Sequence, residues 1–195
     1  MPLWPHNIHK DLHLWNLTES NDSWIQLAEA NAYSFKNNPP NRRDIERFAT
    51  FLLLKEIKLE GQIQYNEFGK PFINDGKFMS ISHDKNFVGI ILHESDVGLD
   101  IQTAEERIHR IASKFCKENE LARFHSTEDR TAIWCTKEAI FKYFGTDVQF
   151  AESITVTSIN WTSEEIIANY SGVHGGRIFT LNITNLNNTF VVYTL

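Results

Sequence analysis

The period of apolar and polar positions shifts repeatedly along the chain, and each shift marks a change of element. After Pro39-Pro40, residues Arg42 to Glu60 place Ile45, Phe48, Ala49, Leu52, Leu53 and Ile57 at helical spacing, with Gly61 as the stop. A turn-rich stretch follows, Tyr65-Asn66-Glu67-Phe68-Gly69-Lys70-Pro71. Met79 to Ser82 and Phe87 to Leu92 read as short strands around a polar turn, and Val97-Gly98-Leu99-Asp100-Ile101 reads as another. Glu105 to Cys116 puts Ile108, Ile111, Ala112 and Phe115 on one helical face. Ser126 with Asp129 resembles a capping box, opening a helix that runs to about Phe144 and stops at Gly145. The last quarter alternates like strands at Ile154-Val156, Ile178-Ile183 and Phe190-Tyr193. Between them, Gly172 and Gly175-Gly176 lack the Lys-Ser/Thr ending of a phosphate loop and read as a hairpin turn.

Helix then strands, followed by helices then strands, predicts an α+β fold loosely repeated twice, although no sequence repeat proves the duplication. At 195 residues, 42% hydrophobic and 23% charged, the chain suits one compact unit or two small halves sharing a core. No apolar run of about 18 residues exists, which argues against a membrane-spanning helix. The start, Met1-Pro2-Leu3-Trp4-Pro5-His6, lacks the basic and apolar regions of a secretory signal. Cys116 and Cys135 are too few for a disulfide framework or a zinc site, so a cytoplasmic protein with reduced thiols is expected. The net charge of −6, with both signs mixed, lacks the basic excess of a nucleic-acid binder. An anionic ligand would have to be held by a local Lys/Arg cluster.

Several residues have the chemistry for such a site. In a strand, Asp100 and Gln102 point to one face, so a carboxylate and an amide oxygen converge. Glu138 and Lys142 lie one turn apart on a helix. Oxygen donors of this kind suit a hard cation such as Mg²⁺, which also binds substrate phosphates. On spacing alone, an acidic strand end and an ordinary Glu–Lys pair are the commoner account of the same residues. Ser80-Ile81-Ser82-His83 ends a strand in a polar turn whose hydroxyls and imidazole suit a phosphate, and Gly69-Lys70-Pro71 puts a cation on a rigid turn. Arg43 and Arg47 form either an anion clamp or simply the polar face of their helix.

Taken in order, Gly69-Lys70-Pro71, Ser80-Ile81-Ser82-His83, Val97-Gly98-Leu99-Asp100-Ile101 and Trp134-Cys135-Thr136-Lys137-Glu138-Ala139 with Lys142 resemble the motif series of the 4′-phosphopantetheinyl transferases. The length is similar to that of the single-chain, surfactin-synthetase-activating branch. The resemblance runs from about Arg42 to Lys142, and its most specific part is Trp-x-x-Lys-Glu-Ala downstream of Gly-x-Asp. It implies two similar α+β halves about a pseudo-twofold axis, over residues 1–95 and 96–195, the second carrying the metal site. It implies transfer of phosphopantetheine from coenzyme A to a serine of an acyl or peptidyl carrier protein, with release of adenosine 3′,5′-bisphosphate.

The resemblance assigns Asp100 and Glu138 as Mg²⁺ ligands, with Gln102 where many members have a third acid. Ser82 and His83 match contacts to the coenzyme A phosphates, Lys70 and Pro71 match the loop beside the nucleotide, and Arg43 and Arg47 match phosphate-gripping positions. Lys142 matches a pyrophosphate-neutralising lysine. Glu120 aligns with the general base, with Glu118 a close competitor. Lys114, Lys117 and Phe115 are candidates for the carrier's landing surface. A monomer is expected. Two other readings are a coenzyme A- or carrier-binding module without catalysis, which the Gln102 departure favours, and a metal protein built on His9 and His13, which Pro5 and mixed polarity disfavour.

Overall fold

The computed structural model describes residues 8–59, 63–73 and 76–195. Two five-stranded antiparallel sheets carry the fold. The first takes β1 (Leu12–Asn16), β2 (Gln64–Tyr65), β3 (Pro71–Phe72), β4 (Phe78–His83) and β5 (Phe87–His93), in the order β1-β5-β4-β3-β2. The second takes β6 (Leu99–Thr103), β7 (Ile154–Asn160), β8 (Glu165–Gly172), β9 (Gly175–Leu186) and β10 (Thr189–Tyr193), in the order β6-β10-β9-β8-β7. The helices sit between the first and second strands of each sheet: α1 (Asn21–Ala30) and α2 (Arg42–Glu56) in one, α3 (Ile108–Ile111), α4 (Glu118–Arg123), α5 (Thr127–Phe144) and α6 (Phe150–Ser153) in the other. The mixed α+β class expected from the pattern is therefore the observed one.

Apolar alternation sorts into three cores. Met79, Val88, Ile90 and Leu92 face α1 and α2, packing with Trp15, Trp24, Phe48 and Leu53. The opposite face of β5 sends Phe87 and Ile91 to meet Leu99, Ile101, Val191 and Tyr193 of the second sheet. Phe190 and Val192, on the other face of β10, pack with Ala132, Ile133, Ala139 and Ile140 of α5. Strands β5 and β10 are buried on both faces, which is why their sequences read as apolar runs.

Several elements differ from expectation. Helix α2 ends at Glu56: Lys58 adopts φ 60° and Leu59 N–H donates to the Leu54 carbonyl at 2.7 Å, a Schellman closure with lysine in the usual glycine position. The proposed stop, Gly61, lies outside the described residues, as does Met1 to His6. The helix expected from Glu105 to Cys116 is one turn, α3, followed by a 3₁₀ turn at Ala112–Lys114. Ile108, Ala112 and Phe115 are nonetheless buried, whereas Ile111, expected on the same face, is exposed. Strand β8 alternates inward Ile166, Ala168 and Tyr170, and it pairs with β9 through the hairpin expected at Gly172 and Gly175.

Helix α5 starts and stops as predicted. Ser126 Oγ accepts from Asp129 N–H at 3.0 Å, and Gly145 closes the helix at φ 83°. Where β6 begins, the backbone passes so close to α5 that a Cβ on Gly98 would lie 1.8 Å from the Ala139 carbonyl oxygen. Gly98→Ala is therefore expected to lower the unfolding free energy by about 3 kcal/mol, measured by urea denaturation, because neither backbone can yield without losing its hydrogen bonds.

Candidate functional site

Strand β6 is an edge strand, yet its outward N–H groups are not left to water. Leu99, Ile101 and Thr103 N–H donate to Ser80 Oγ at 3.0 Å, Ser82 Oγ at 3.1 Å and Asp84 Oδ2 at 2.9 Å. Those acceptors are alternate residues on one face of β4 and its turn, so their side chains stand in for a neighbouring strand. This ladder brings β4 against β6 and sets Asp100 beneath α5. Helix α5 contributes Cys135, Glu138 and Lys142, a stripe at i, i+3 and i+7. Lys142 Nζ donates to Asp100 Oδ1 at 2.7 Å, to Ser82 Oγ at 3.0 Å and to the Leu99 carbonyl at 3.0 Å. Ser82 Oγ donates to the same Asp100 oxygen at 3.0 Å, and the Cys135 thiol also bonds Asp100.

The charge balance is uneven. Two carboxylates, Asp100 and Glu138, share one ammonium, Lys142. Burial first, and then the Asp100 charge, push the Glu138 carboxyl up to about 7, while Lys142 opposes them. Burial and Asp100 likewise hold the Cys135 thiol well above its ordinary range, so it is an inert packing group. Gln102 stands two residues from Asp100 on β6, and its Nε2 donates to the Thr103 carbonyl at 3.2 Å, leaving Oε1 without a hydrogen-bond partner. Among the described residues no group of three His, Cys, Asp or Glu side chains is gathered around a metal position. The donor set is two carboxylates plus one amide oxygen. Oxygen-only donors and an unneutralised negative charge fit a hard divalent cation.

Three cavities adjoin one another, two of them lined by Gln102. One of about 800 Å³ is lined by Arg42, Arg43, Arg47, Tyr65, Gly69, Pro71 and His83, among others. A second of about 310 Å³ shares Arg42 and His83 with it and extends to Gln102 and Arg107. A third of about 540 Å³ continues from Gln102 and Arg107 to Ile108, Ile111 and Trp134, and is mostly apolar. Arg43, Arg47, Gly69, Pro71, His83 and Gln102 thus line one trough. Within it Glu46 takes an ion pair from Arg42 Nε at 2.8 Å and faces His83 Nδ1 at 3.3 Å. Lys70 lies at its side, with Nζ bound to Asp96 at 2.7 Å and to the Tyr143 carbonyl at 2.6 Å, and its ammonium fastens the loop to the end of α5.

Two expected residues lie elsewhere. Glu120 is 1% exposed and both its oxygens are engaged. Oε2 pairs with Lys137 Nζ and accepts from Lys117 N–H, each at 2.7 Å, and Oε1 accepts from Val156 N–H at 2.7 Å. A base must come within hydrogen-bond reach of its proton, and this carboxylate is sealed in the core, where it caps the edge of β7. Lys137, fully buried, adds bonds to the Phe115 and Ile154 carbonyls at 2.7 and 2.9 Å, which explains the lysine before Glu138. Phe115 is also buried, edge-on to Trp134 at 5.1 Å, so it offers no landing surface. Lys117 Nζ is tied to Thr155, while Lys114 and Glu118 are exposed. His9 and His13 gather no metal cluster among the described residues. The Ser80-Ser82-Asp84 ladder escaped the sequence reading, although alternating short polar residues in an otherwise apolar strand signal it.

These charges set three measurable outcomes. Between pH 4.5 and about 7 the folded protein keeps the Glu138 proton after the unfolded chain has lost it, so the metal-free protein loses stability as pH rises through that window. Because an ion must displace this proton, Mn²⁺ affinity measured by calorimetry should fall about tenfold per unit below pH 7, and Glu138→Gln should remove that dependence. Lys137→Met strands a buried carboxylate and should cost about 3–5 kcal/mol in denaturant titrations, and Lys137→Met with Glu120→Leu far less.

Part of the chain is similar to known proteins. Residues 96–183 match the family model described as the 4′-phosphopantetheinyl transferase superfamily. The 4′-phosphopantetheinyl transferase gsp of Aneurinibacillus migulanus is 31% identical over 86 residues, covering 41% of this chain and 36% of that protein. The chain thus matches little more than a third of that relative's length. The stretch that supplies Asp100, Glu138 and Lys142 lies within the part of the chain that is similar to the 4′-phosphopantetheinyl transferase superfamily.

Proposed function

We propose that the protein transfers 4′-phosphopantetheine from coenzyme A to a serine hydroxyl of an acyl or peptidyl carrier protein. The observation that carries this reading is the trough: a cationic cavity and an apolar one joined past Gln102, which stands two residues along β6 from Asp100. Coenzyme A has the same polarity along its length, with a phosphorylated nucleotide at one end, a pyrophosphate in the middle and a neutral arm at the other. Arg43, Arg47 and His83 would hold the nucleotide phosphates, with the Gly69-Lys70-Pro71 turn as a wall beside it. Asp100, Glu138 and the amide oxygen of Gln102 would hold Mg²⁺, which when bound would neutralise the pyrophosphate oxygens and polarise the phosphorus. Lys142 keeps Asp100 oriented and adds positive charge at that point.

In the reaction the serine oxygen forms a bond to the pantetheine-side phosphorus, the bridging P–O bond breaks, and adenosine 3′,5′-bisphosphate leaves. Positioning and charge neutralisation carry most of the rate in such transfers. Of the two carboxylates weighed as base, Glu118 is the one exposed to an incoming substrate. Both sheets lie in one chain, so a monomer supplies the whole trough, in keeping with the single-chain branch. The two cysteines are free and buried and no helix among the described residues is long and apolar enough to cross a membrane, which suits the cytoplasm.

The test is intact mass spectrometry of several apo carrier proteins after incubation with this protein, coenzyme A and Mg²⁺. A gain of one phosphopantetheine, lost with EDTA and in Asp100→Ala, is the expected result. Coenzyme A binding without any gain on any carrier would replace this reading with a binding module.

A further inference from the structure

We propose that Ser82 is a positioning residue for the divalent-cation site rather than a ligand of substrate phosphate. The inference rests on the metal-dependent reading above and departs from the role that resemblance gives this serine. A hydroxyl has one hydrogen to donate and two lone pairs to accept with. In Ser82 all three are spent inside the protein. The hydrogen goes to Asp100 Oδ1 at 3.0 Å, and the lone pairs receive Ile101 N–H at 3.1 Å and Lys142 Nζ at 3.0 Å. The side chain is buried, so a phosphate oxygen could take its hydrogen only by releasing Asp100. It could not bond to the lone pairs, since both partners would be acceptors with no hydrogen between them.

These bonds define what the serine does. Asp100 Oδ1 is held by Ser82 and Lys142 together, and Ser82 is itself anchored to the backbone one residue beyond Asp100. The carboxylate therefore has one orientation before any ion arrives, and the ordering cost of binding is already met. The Cys135 thiol is the remaining group bonded to that carboxylate, and it is too weak a partner to fix it alone. Ser80 supplies a built-in control. It occupies the same face of β4 two residues earlier and accepts from Leu99 N–H at 3.0 Å, the neighbouring rung of the same ladder, and among the described residues it makes no bond to Asp100 or Lys142. A purely structural account of Ser82 predicts equal consequences for the two serines.

The experiment titrates Mn²⁺ into the full chain without coenzyme A, following free Mn²⁺ by electron paramagnetic resonance. In parallel, adenosine 3′,5′-bisphosphate binding is measured by calorimetry in EDTA. Ser82→Ala is expected to weaken Mn²⁺ binding about 10–100-fold, in the range for lost outer-shell partners, and to leave bisphosphate affinity unchanged. Ser80→Ala is expected to lower thermal stability while keeping Mn²⁺ affinity, and Ser82→Thr to restore it through its hydroxyl. Should Ser82→Ala not fold, Ser82→Cys, of similar size but a weak hydrogen-bond former, carries the same expectation. Wild-type Mn²⁺ affinity in Ser82→Ala or Ser82→Cys, or lost bisphosphate affinity, would overturn the positioning role while leaving the proposed transferase in place. Equal loss in Ser80→Ala would reduce Ser82 to a structural rung. Absence of Mn²⁺ binding by the wild-type protein would overturn the metal site itself, and this proposal with it.

Discussion

The open edge of β6 is the constraint on which the rest depends. A strand at a sheet edge presents unpaired N–H groups, and burying them unpaired is costly. Here three side chains of alternate residues, Ser80, Ser82 and Asp84, meet three alternate N–H groups, Leu99, Ile101 and Thr103. The two sheets are thereby joined in a fixed register without a shared backbone ladder. Register matters because Asp100 and Gln102 lie between those rungs. A slip by one residue would turn both away from α5 and place Leu99 and Ile101 where the acids belong. The third rung is reinforced by Asn86, whose amide reaches Thr103 and Thr189 at 3.0 and 2.9 Å.

The far edge of the same sheet obeys the same rule with different chemistry. Along β7, Glu120 accepts from Val156 N–H, Lys117 reaches Thr155, and Arg123 donates to the Thr157 carbonyl at 2.6 Å. Charged side chains from α4 close this edge and need a counter-ion inside, which Lys137 supplies. Neighbours in sequence, Lys137 and Glu138 thus serve opposite ends. Lys137 is matched atom for atom by Glu120 and backbone carbonyls, so its charge is satisfied by the fold itself. Glu138 has no such hydrogen-bonded partner among the described residues, and its carboxyl is pushed upward. That contrast separates a structural ion from a site: a satisfied charge needs nothing further, while a strained one stabilises whatever cation relieves it.

Legibility in the sequence followed the same physics. Helix α5 and the hairpin at Gly172–Gly175 were readable because capping serine, terminal glycine and turn glycines act locally. The spacing of Asp100 and Gln102, and of Glu138 and Lys142, was readable because i+2 and i+4 are properties of single elements. What a sequence does not carry is which elements meet. Glu120 matched an expected base by position, and only tertiary packing reveals that both its oxygens face the core. Phe115 failed as a surface candidate for the same reason. The end of α2 was missed because Lys58 holds a left-handed conformation that composition assigns to glycine. Strand β8 was passed over because its inward residues include Ala168 and its outward ones Ile167, which blurs the alternation.

The two sheets share one strand order, first-fifth-fourth-third-second, with helices inserted after the first strand in both. The long helices of the two units nevertheless carry different chemistry. The long helix of the first unit, α2, turns Arg43 and Arg47 outward to the trough, whereas that of the second, α5, turns Glu138 and Lys142 toward β6. A cation site and an anion site built on one unit would each weaken the other, since Coulomb attraction would pair them internally. Placing them on separate units, held apart by the side-chain ladder of β4, keeps Arg43 and Arg47 from collapsing onto Asp100 and Glu138. The arginines of α2 therefore face the trough while the carboxylates lie between α5 and β6, and the opposite charges stay apart.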